Sequence, residues 1–494
     1  MASNAESYAD TRHHMSSDLT EGNLVNVIWR MSWPLVVTML SCATVDLIHV
    51  HIAGMLSASS QAAVGLVDQM MMIAVLIATA IGSGTTAVVA RAIGAGDRNG
   101  AVLATSQALR VAAVVGALLS VGAFAAGKLL LPQYCSSPEV LTEAAAYLSV
   151  ITWYLVPFAI VCSINAAIRG LGSTTLQLQV VLLMMVTDVV LNYGLVSFVW
   201  PTARTGLAGI AIVAIVSSTA GLLLALYKLN RSPLAGSISN LDKLCWYQTK
   251  RILRIGLPCA LLELTRVTST FVLFFILSHC RQPQEAVASW ALGMRLEAFL
   301  FLPLDALALG AAAIVVQNLG AMRIDRAWSA SWTIAGLGLG LMVVASALMF
   351  SLAEPIARLG SSDANVITYT TDYLRLNAVC EPFLALEVIL GAILQSMGDS
   401  RVPMSIGILS NWIVRLPVAA LLGLSAGLGP AGVWLAMTVS NILAGLLMLT
   451  RFCSNDTWTM LSSSRAWTNH PAASIARTGL VGHRRAQRRL SLCP

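Results

Sequence analysis

Charge is scarce in this chain: of 494 residues, 11% are Asp, Glu, Lys or Arg and 57% are hydrophobic, whereas a soluble globule is about a quarter charged. With a mean hydropathy of +0.77, the chain belongs in a bilayer. The first two dozen residues, Met1 to Leu24, are polar and lack an apolar core, which excludes a cleavable signal peptide and leaves insertion to the first spanning helix. The nine cysteines are odd in number and scattered, so neither a disulfide framework nor a C-x-x-C metal pattern is expected. Cys42, Cys162, Cys259 and Cys380, inside apolar runs, are expected to be small core residues. No G-x-x-x-x-G-K-[ST] string is present, so ATP hydrolysis is not supported. A membrane-embedded enzyme would need a catalytic constellation, and G-x-S-x-G, H-E-x-x-H and a histidine with a nucleophile at matching depth are all missing. The net charge of +7 could point to nucleic acid, but the basic residues fall where membrane topology needs them.

What is present is repetition. Arg30 and Pro34 with a long apolar run recur as Arg254 and Pro258; Ala90 to Ala95 answers Val316 to Ala321; Ala166 to Ser173 answers Ala392 to Asp399; and Gly206 to Gly209 answers Gly429 to Gly432. A duplicated apolar unit is the usual construction of secondary transporters, whose halves rock about a site between them. Twelve stretches are long and apolar enough to span a membrane. They run over 31–53, 66–90, 106–131, 144–168, 176–199 and 207–227 in the first half, then 255–278, 286–316, 329–352, 366–394, 403–424 and 431–449. The fold class is therefore all-α and polytopic, with two six-helix lobes related by a pseudo-twofold axis. Pro34, Pro157, Pro258, Pro303, Pro382 and Pro417 mark expected kinks or helix starts. Gly94, Gly96, Gly172 and Gly398 are expected to permit tight turns with positive φ.

Loops of one parity carry Arg91, Arg98, Arg169, Lys228, Arg231, Lys243, Lys250, Arg251, Arg323, Arg326 and Arg401, whereas the opposite loops hold Lys128, Arg204, Arg281 and Arg358. The positive-inside rule then places both termini in the cytoplasm and the chain in the cell's inner membrane. The expected organisation is a polar cytoplasmic segment (1–29), a first lobe (30–229), a polar basic linker (230–250), a second lobe (251–452) and a basic, disordered tail (453–494) ending in Arg484, Arg485, Arg488 and Arg489, with weak affinity for anionic lipid. Asn455-Asp456-Thr457 matches a glycosylation acceptor but lies on the expected cytoplasmic side and should stay unmodified.

A charge inside the membrane is costly unless it faces water or a partner, which makes it a functional candidate. In the first half Asp46 and His49 lie three residues apart and Asp188 and Asn192 four apart, each pair on one helix face at middling depth. Asp68 starts the second helix, where a charge costs less. The reading is a proton-coupling site of Asp46, His49, Asp188 and Asn192, histidine titrating near neutrality; the structural alternative is hydrogen bonding between neighbouring helices. The second half holds Glu263, Arg266, Arg295, Glu297, Asp305, Glu381, Glu387 and Arg415. Glu263 and Arg266, three apart, could neutralise each other, and an ion-pair network fixing the lobe stands beside a coupling or substrate role for Glu263, Glu381, Glu387 and Arg295. Met70, Met71, Met72, Met184 and Met185 are available for a re-packing substrate surface.

Several segments together resemble the MATE (multidrug and toxic compound extrusion) transporters over about residues 30–451. They are Gln61-Ala62-Ala63-Val64-Gly65-Leu66, Arg91-Ala92-Ile93-Gly94-Ala95-Gly96-Asp97-Arg98, Arg295-Leu296-Glu297-Ala298-Phe299 with Pro303, Val316 to Ala321 with Arg326-Ala327, and Leu394 to Pro403. The resemblance implies a V of two lobes around a central cavity and export of organic, often cationic, small molecules against an inward proton or sodium flow, with no cofactor and no ATP; the chain is expected to act as a monomer. His49 stands where the family's first helix commonly carries an aspartate, so Asp46 or His49 itself would take that role. The family's fifth helix often places Asn before Asp; here the order is Asp188, Asn192. One branch of the family has acidic residues on helices seven and ten in a cation site, for which Glu263, Glu381 and Glu387 are the available matches. A flippase for a lipid-linked precursor shares the architecture and would want a more basic cavity, for which Arg266, Arg295 and Arg415 are the candidates.

Overall fold

A computed structural model describes residues 19–134, 137–194, 206–241, 244–280 and 282–454. Lys243, Arg204, Arg281, the Asn455 acceptor and the basic tail lie outside them. Twelve long apolar helices follow one another: α1 Leu24–Leu56, α2 Ala58–Gly94, α3 Arg98–Tyr134, α4 Pro138–Leu171, α5 Thr174–Gly194, α6 Gly206–Asn230, α7 Trp246–Leu277, α8 Pro283–Gly320, α9 Ile324–Gly360, α10 Ala364–Met397, α11 Arg401–Ser425 and α12 Pro430–Cys453. No strand occurs among the described residues. This is the expected count and order, but the helices overshoot the apolar runs. The 38 residues of α8 span about 57 Å, against a hydrocarbon core of about 30 Å, because polar turns at either end continue the helix into the interface. Leu118, Val121, Val190, Leu223, Phe275 and Val344 are each at least 60% exposed, an apolar exterior suited to lipid rather than water.

Connections are short and chemically specified. Ser57 alone joins α1 to α2, its side chain accepting from the Ser60 N–H. Asn23 and Asp363 cap α1 and α10 by accepting backbone N–H groups. Gly172 and Gly398, at equivalent places in the two halves, end α4 and α10 with φ of 96° and 104°, a conformation that favours glycine. Pro34, Pro258, Pro303 and Pro382 lie inside helices. Pro157 follows a 3-10 turn at Thr152–Tyr154, and Pro417 follows a π segment at Leu409–Arg415, where the departure from α geometry absorbs its missing N–H.

Some expectations are corrected. Arg91, Lys228, Lys250 and Arg251 lie in end turns of helices rather than in loops, and Arg169 is buried in the last turn of α4, donating to Gln177 and Thr86. Cys42 is exposed on α1, unlike the buried Cys259 and Cys380. Gly94 is helical rather than a positive-φ turn; it is glycine for a different reason, which concerns how the lobes meet.

The core separates into four principal clusters. On the face that carries the first and last described residues, hereafter the terminal face, one cluster of α8–α12 side chains includes Leu19 from the segment ahead of α1 and Val27, Ile28 and Met31 from the start of α1. A second, of α2–α6, includes Ile252, Ile255, Cys259 and Ala260 from the start of α7. Each lobe thus buries the head of the other lobe's first helix. Towards the opposite face the two clusters are private: one holds only residues of α1–α6 and the other only residues of α7–α12. The lobes share their cores at the terminal face and keep them separate at the other, the arrangement of a V. Backbones touch along the join. A Cβ on Gly94 would lie 2.1 Å from the Gln317 carbonyl oxygen, and one on Gly320 would lie 2.4 Å from that of Arg91. Deeper in, Gly84 meets Ile252 and Gly256 of α7, and Gly310 meets Met31 and Ser32 of α1. Gly84 and Gly94 are ten residues apart, so the seam is about 15 Å deep.

Replacing Gly94 or Gly320 by alanine is therefore expected to destabilise the detergent-purified protein by about 1–3 kcal/mol through forced backbone movement. Gly336→Ala, which opens onto empty space, should be neutral or slightly stabilising. Thermal melts decide this: a Gly94→Ala protein melting with wild type would show that the seam is not packed in this way.

Candidate functional site

Above the seam each lobe encloses an acidic cluster. In the first lobe His49 of α1 has its Nε2 2.8 Å from Oδ1 of Asp188 on α5. Asn192, one turn on, donates to the same oxygen at 2.9 Å, and the Ser217 hydroxyl of α6 donates to Oδ2 at 3.1 Å. Helical spacing explains the first of these contacts: residues four apart share a face, so Asp188 and Asn192 present one polar spot on an otherwise apolar helix. A carboxylate held by three partners is stable where an isolated one would not be, and the arrangement ties α1, α5 and α6 together. Asp46, one turn before His49, is exposed and acts on the imidazole through space, as does Asp68; Asp68 accepts a long hydrogen bond, 3.4 Å, from Tyr147 of α4. His49 lies seven residues from the far end of α1, about 10 Å, in the half where the lobes are apart.

The second lobe has two centres. Arg266 of α7 pairs with Glu387 of α10 at 3.0 Å, with Glu263 and Asp305 within electrostatic range. The expected pairing of Glu263 with Arg266 inside one helix gives way to this inter-helix bond because the Glu387 side chain is only 8% exposed, and a buried carboxylate has most to gain from a guanidinium. The other centre lies between α8 and α10. Tyr373, Asn377 and Glu381 recur every fourth residue on one face of α10. The Tyr373 hydroxyl donates to Glu297 Oε2 at 2.5 Å, and Asn377 donates to Oε1 at 3.4 Å. Glu381 adjoins Glu297; it is fully buried, and neither of its carboxyl oxygens has a hydrogen-bond partner of ordinary geometry. Arg415, presented by the π segment of α11, is satisfied by Ser440 and Asn441 of α12 and faces Glu297 electrostatically.

Of the residues singled out from the sequence, His49, Asp188 and Asn192 meet directly, and Asp46 joins them only through space. Glu387 meets Arg266, with Glu263 near, while Glu381 belongs to the separate Glu297 centre. Arg295 is exposed, two positions from Glu297 and so on the other side of α8; it joins neither centre. Ser217 and Tyr373 were not marked by any charge. The Tyr373, Asn377, Glu381 spacing was a legible signal for one polar stripe. Met71 is buried in the outer core, with Met70 packed against that core, and Met184 fills the space beside Gly221, so these three serve packing.

A model of the family described as MatE matches residues 34–194 and again 258–421. The chain is 26% identical over 404 residues to the probable multidrug resistance protein NorM of Thermotoga maritima, covering 81% of this chain and 86% of that protein. It is 21% identical over 428 residues to the uncharacterized transporter YisQ of Bacillus subtilis, covering 86% and 94%. Among solved structures, a MATE protein in a bent conformation superposes with a TM-score of 0.83 at 20% identity, covering 91% of this chain and 99% of that one. The Vibrio cholerae MATE transporter VcmN in its bent form gives 0.80 at 22%, covering 89% and 98%.

Removing the shared acceptor of the first cluster tests its cohesion. Asp188→Ala leaves His49, Asn192 and Ser217 without their common partner and should cost about 3–5 kcal/mol, whereas Asp188→Asn, whose amide oxygen still accepts, should cost less. Circular dichroism melts in detergent that coincide for the alanine variant and wild type would show that the cluster does not hold α1, α5 and α6 together.

Proposed function

Since the chain belongs to the MatE family of membrane transporters, we propose that it is a secondary antiporter that exports organic cations across the inner membrane in exchange for protons. The observation that carries this reading is the V: lobes locked at one face and parted at the other, with an acidic cluster in the half of each lobe that lies apart. The terminal face is read as cytoplasmic because Arg91, Arg98, Lys228, Arg231, Lys250, Arg251, Arg323, Arg326 and Arg401 gather there. The V then opens outward.

Antiport requires that two cargoes compete for one negative site. In the first lobe Asp188 and Asp46 supply the negative charge, and His49 is a proton carrier in direct contact with Asp188. A proton arriving from outside settles on this group and removes its attraction for a bound organic cation, which leaves outward. After the lobes rock, the proton departs to the cytoplasm and the restored negative charge admits the next cation. A ligand that binds the two lobe arrangements with different affinity shifts the balance between them, and the proton gradient drives the exchange. Glu297 and Glu381 form a second candidate site, since two carboxyls set side by side away from water gain from a proton or a cation held between them. A proton needs only a titrating group, whereas sodium needs a cage of oxygens, and the histidine–carboxylate pair favours the proton. The flippase reading is disfavoured: Arg266 is matched by Glu387, Glu263 and Asp305, Arg415 is held by Ser440 and Asn441 and faces Glu297, and Arg295 lies exposed away from both centres, so among the described residues these three do not gather into a basic pocket for a pyrophosphate.

The test is ethidium efflux from loaded proteoliposomes under an imposed proton gradient, an imposed sodium gradient, or neither. Wild type should extrude the dye only with the proton gradient, and Asp188→Asn and His49→Gln should abolish that dependence. Proton-driven efflux that survives both substitutions but is lost in Glu381→Gln would move coupling to the second lobe, and efflux driven by sodium alone would overturn the proton assignment.

A further inference from the structure

The chain ahead of α1 does not simply lead into the membrane. Leu19 is 2% exposed and belongs to the second lobe's terminal-face core, and its Cδ1 also lies 3.0 Å from where a Cβ on Gly172, in the first lobe, would stand. It therefore touches both lobes. Beside it runs a direct bond between them: the Gln317 side-chain amide donates to the Gly170 carbonyl at 2.7 Å, and Gln317 Nε2 lines the same notch at Gly172. An apolar side chain seated over a hydrogen bond excludes the water that would compete for it. The backbone around Leu19 is gripped by the second lobe. Asn318 donates to the Leu19 carbonyl at 3.1 Å, Arg323 to that of Thr20 at 2.6 Å and Arg326 to that of Glu21 at 2.7 Å, while Arg323 also meets the Glu21 carboxylate at 3.3 Å. All three donors belong to the end of α8 and the start of α9. The strap is thus fixed to the second lobe and plugged into the first.

We infer that residues Leu19 to Glu21 form a latch on the terminal face, whose leucine seals the Gln317–Gly170 bond and must be withdrawn from the Gly172 notch before that face opens. The inference rests on the alternating-access reading above. Its consequence is a bias: with the latch seated, the outward-open arrangement is favoured, and anything that pulls the segment away favours the other. The bonds that hold the connection between α6 and α7 are of a different kind. Arg98 and Ser106 of α3 hold the carbonyls of Pro233 and Asn240, both in the connection between α6 and α7, and neither contact inserts a side chain between the lobes.

Spin labels at exposed Asn99 on α3 and Ser329 on α9 report the separation of the lobes at this face by pulsed electron resonance, with Cys42, Cys135, Cys453 and Cys493 replaced by serine. Leu19→Asp, and separately Arg323→Gln with Arg326→Gln, should raise the proportion of the separated distance about fivefold, while Leu19→Met should match wild type. A second label pair near the far ends of α2 and α8 should approach by the reciprocal change, which a locally unfolded strap would not produce. If wild type moves between two distances with pH but the latch variants give its distribution, the latch is wrong and the transport reading stands. If no variant and no pH produces a second distance, both fail.

Discussion

The structure depends on how closely two helical backbones can approach where the lobes cross. Gly94 and Gly320 sit reciprocally on each other's helix ends, and Gly84 and Gly310 sit on the opposing α7 and α1; a side chain at Gly94, Gly320 or Gly84 would hold the backbones apart, and one at Gly310 would press on Ser32. Apolar surface gives little drive for helices to associate inside lipid, so close contact through small residues has to supply it. The exchange of helix heads follows from the same crossing. Because α1 begins in the core of the second lobe and α7 in that of the first, each lobe's core at that face is completed by the other lobe's helix head, and the same two helices carry His49 and Arg266.

That connection gives the buried charges a mechanical meaning. His49 rides on a helix whose head is packed in one lobe and whose far end is packed in the other, and it bonds Asp188 of α5. A change in the charge of this pair therefore acts on an element that both lobes hold. The Arg266–Glu387 pair joins α10 to α7, a helix whose head is likewise packed in one lobe and whose far end is packed in the other. The Glu297–Glu381 centre is different in kind: it lies within one lobe, sealed by Tyr373, and its occupancy would alter the packing of α8 on α10.

Much of this was legible in the residues. Long apolar runs announce spans because the bilayer imposes a length, and the repeated Arg–Pro strings marked the first helix of each half while the glycine strings marked matching helix ends. Asp188 and Asn192 were visible as a pair because their spacing lies along one helix. Contacts between helices were not visible in that way. Nothing in the local sequence tells that Ser217 reaches Asp188, that Glu297 adjoins Glu381, or that Glu387 rather than Glu263 takes Arg266. Gly94 was misread as a turn for the same reason, since a need for close approach and a need for positive φ leave the same letter. Arg169 was misread because a basic residue beside a glycine resembles a loop, although its aliphatic stem and guanidinium are buried in the end of α4.

The central claim is that the packing between α2 and α8 closes one face and has to part for transport. A thiol cross-linker between Ala95→Cys and Ala321→Cys, beside the two crossing glycines, tests it most directly in proteoliposomes whose other accessible cysteines have been replaced. The account predicts that cross-linking abolishes gradient-driven efflux and that cleaving the linker restores it. Full efflux from protein shown to be cross-linked would contradict it, because the seam would then not be what opens.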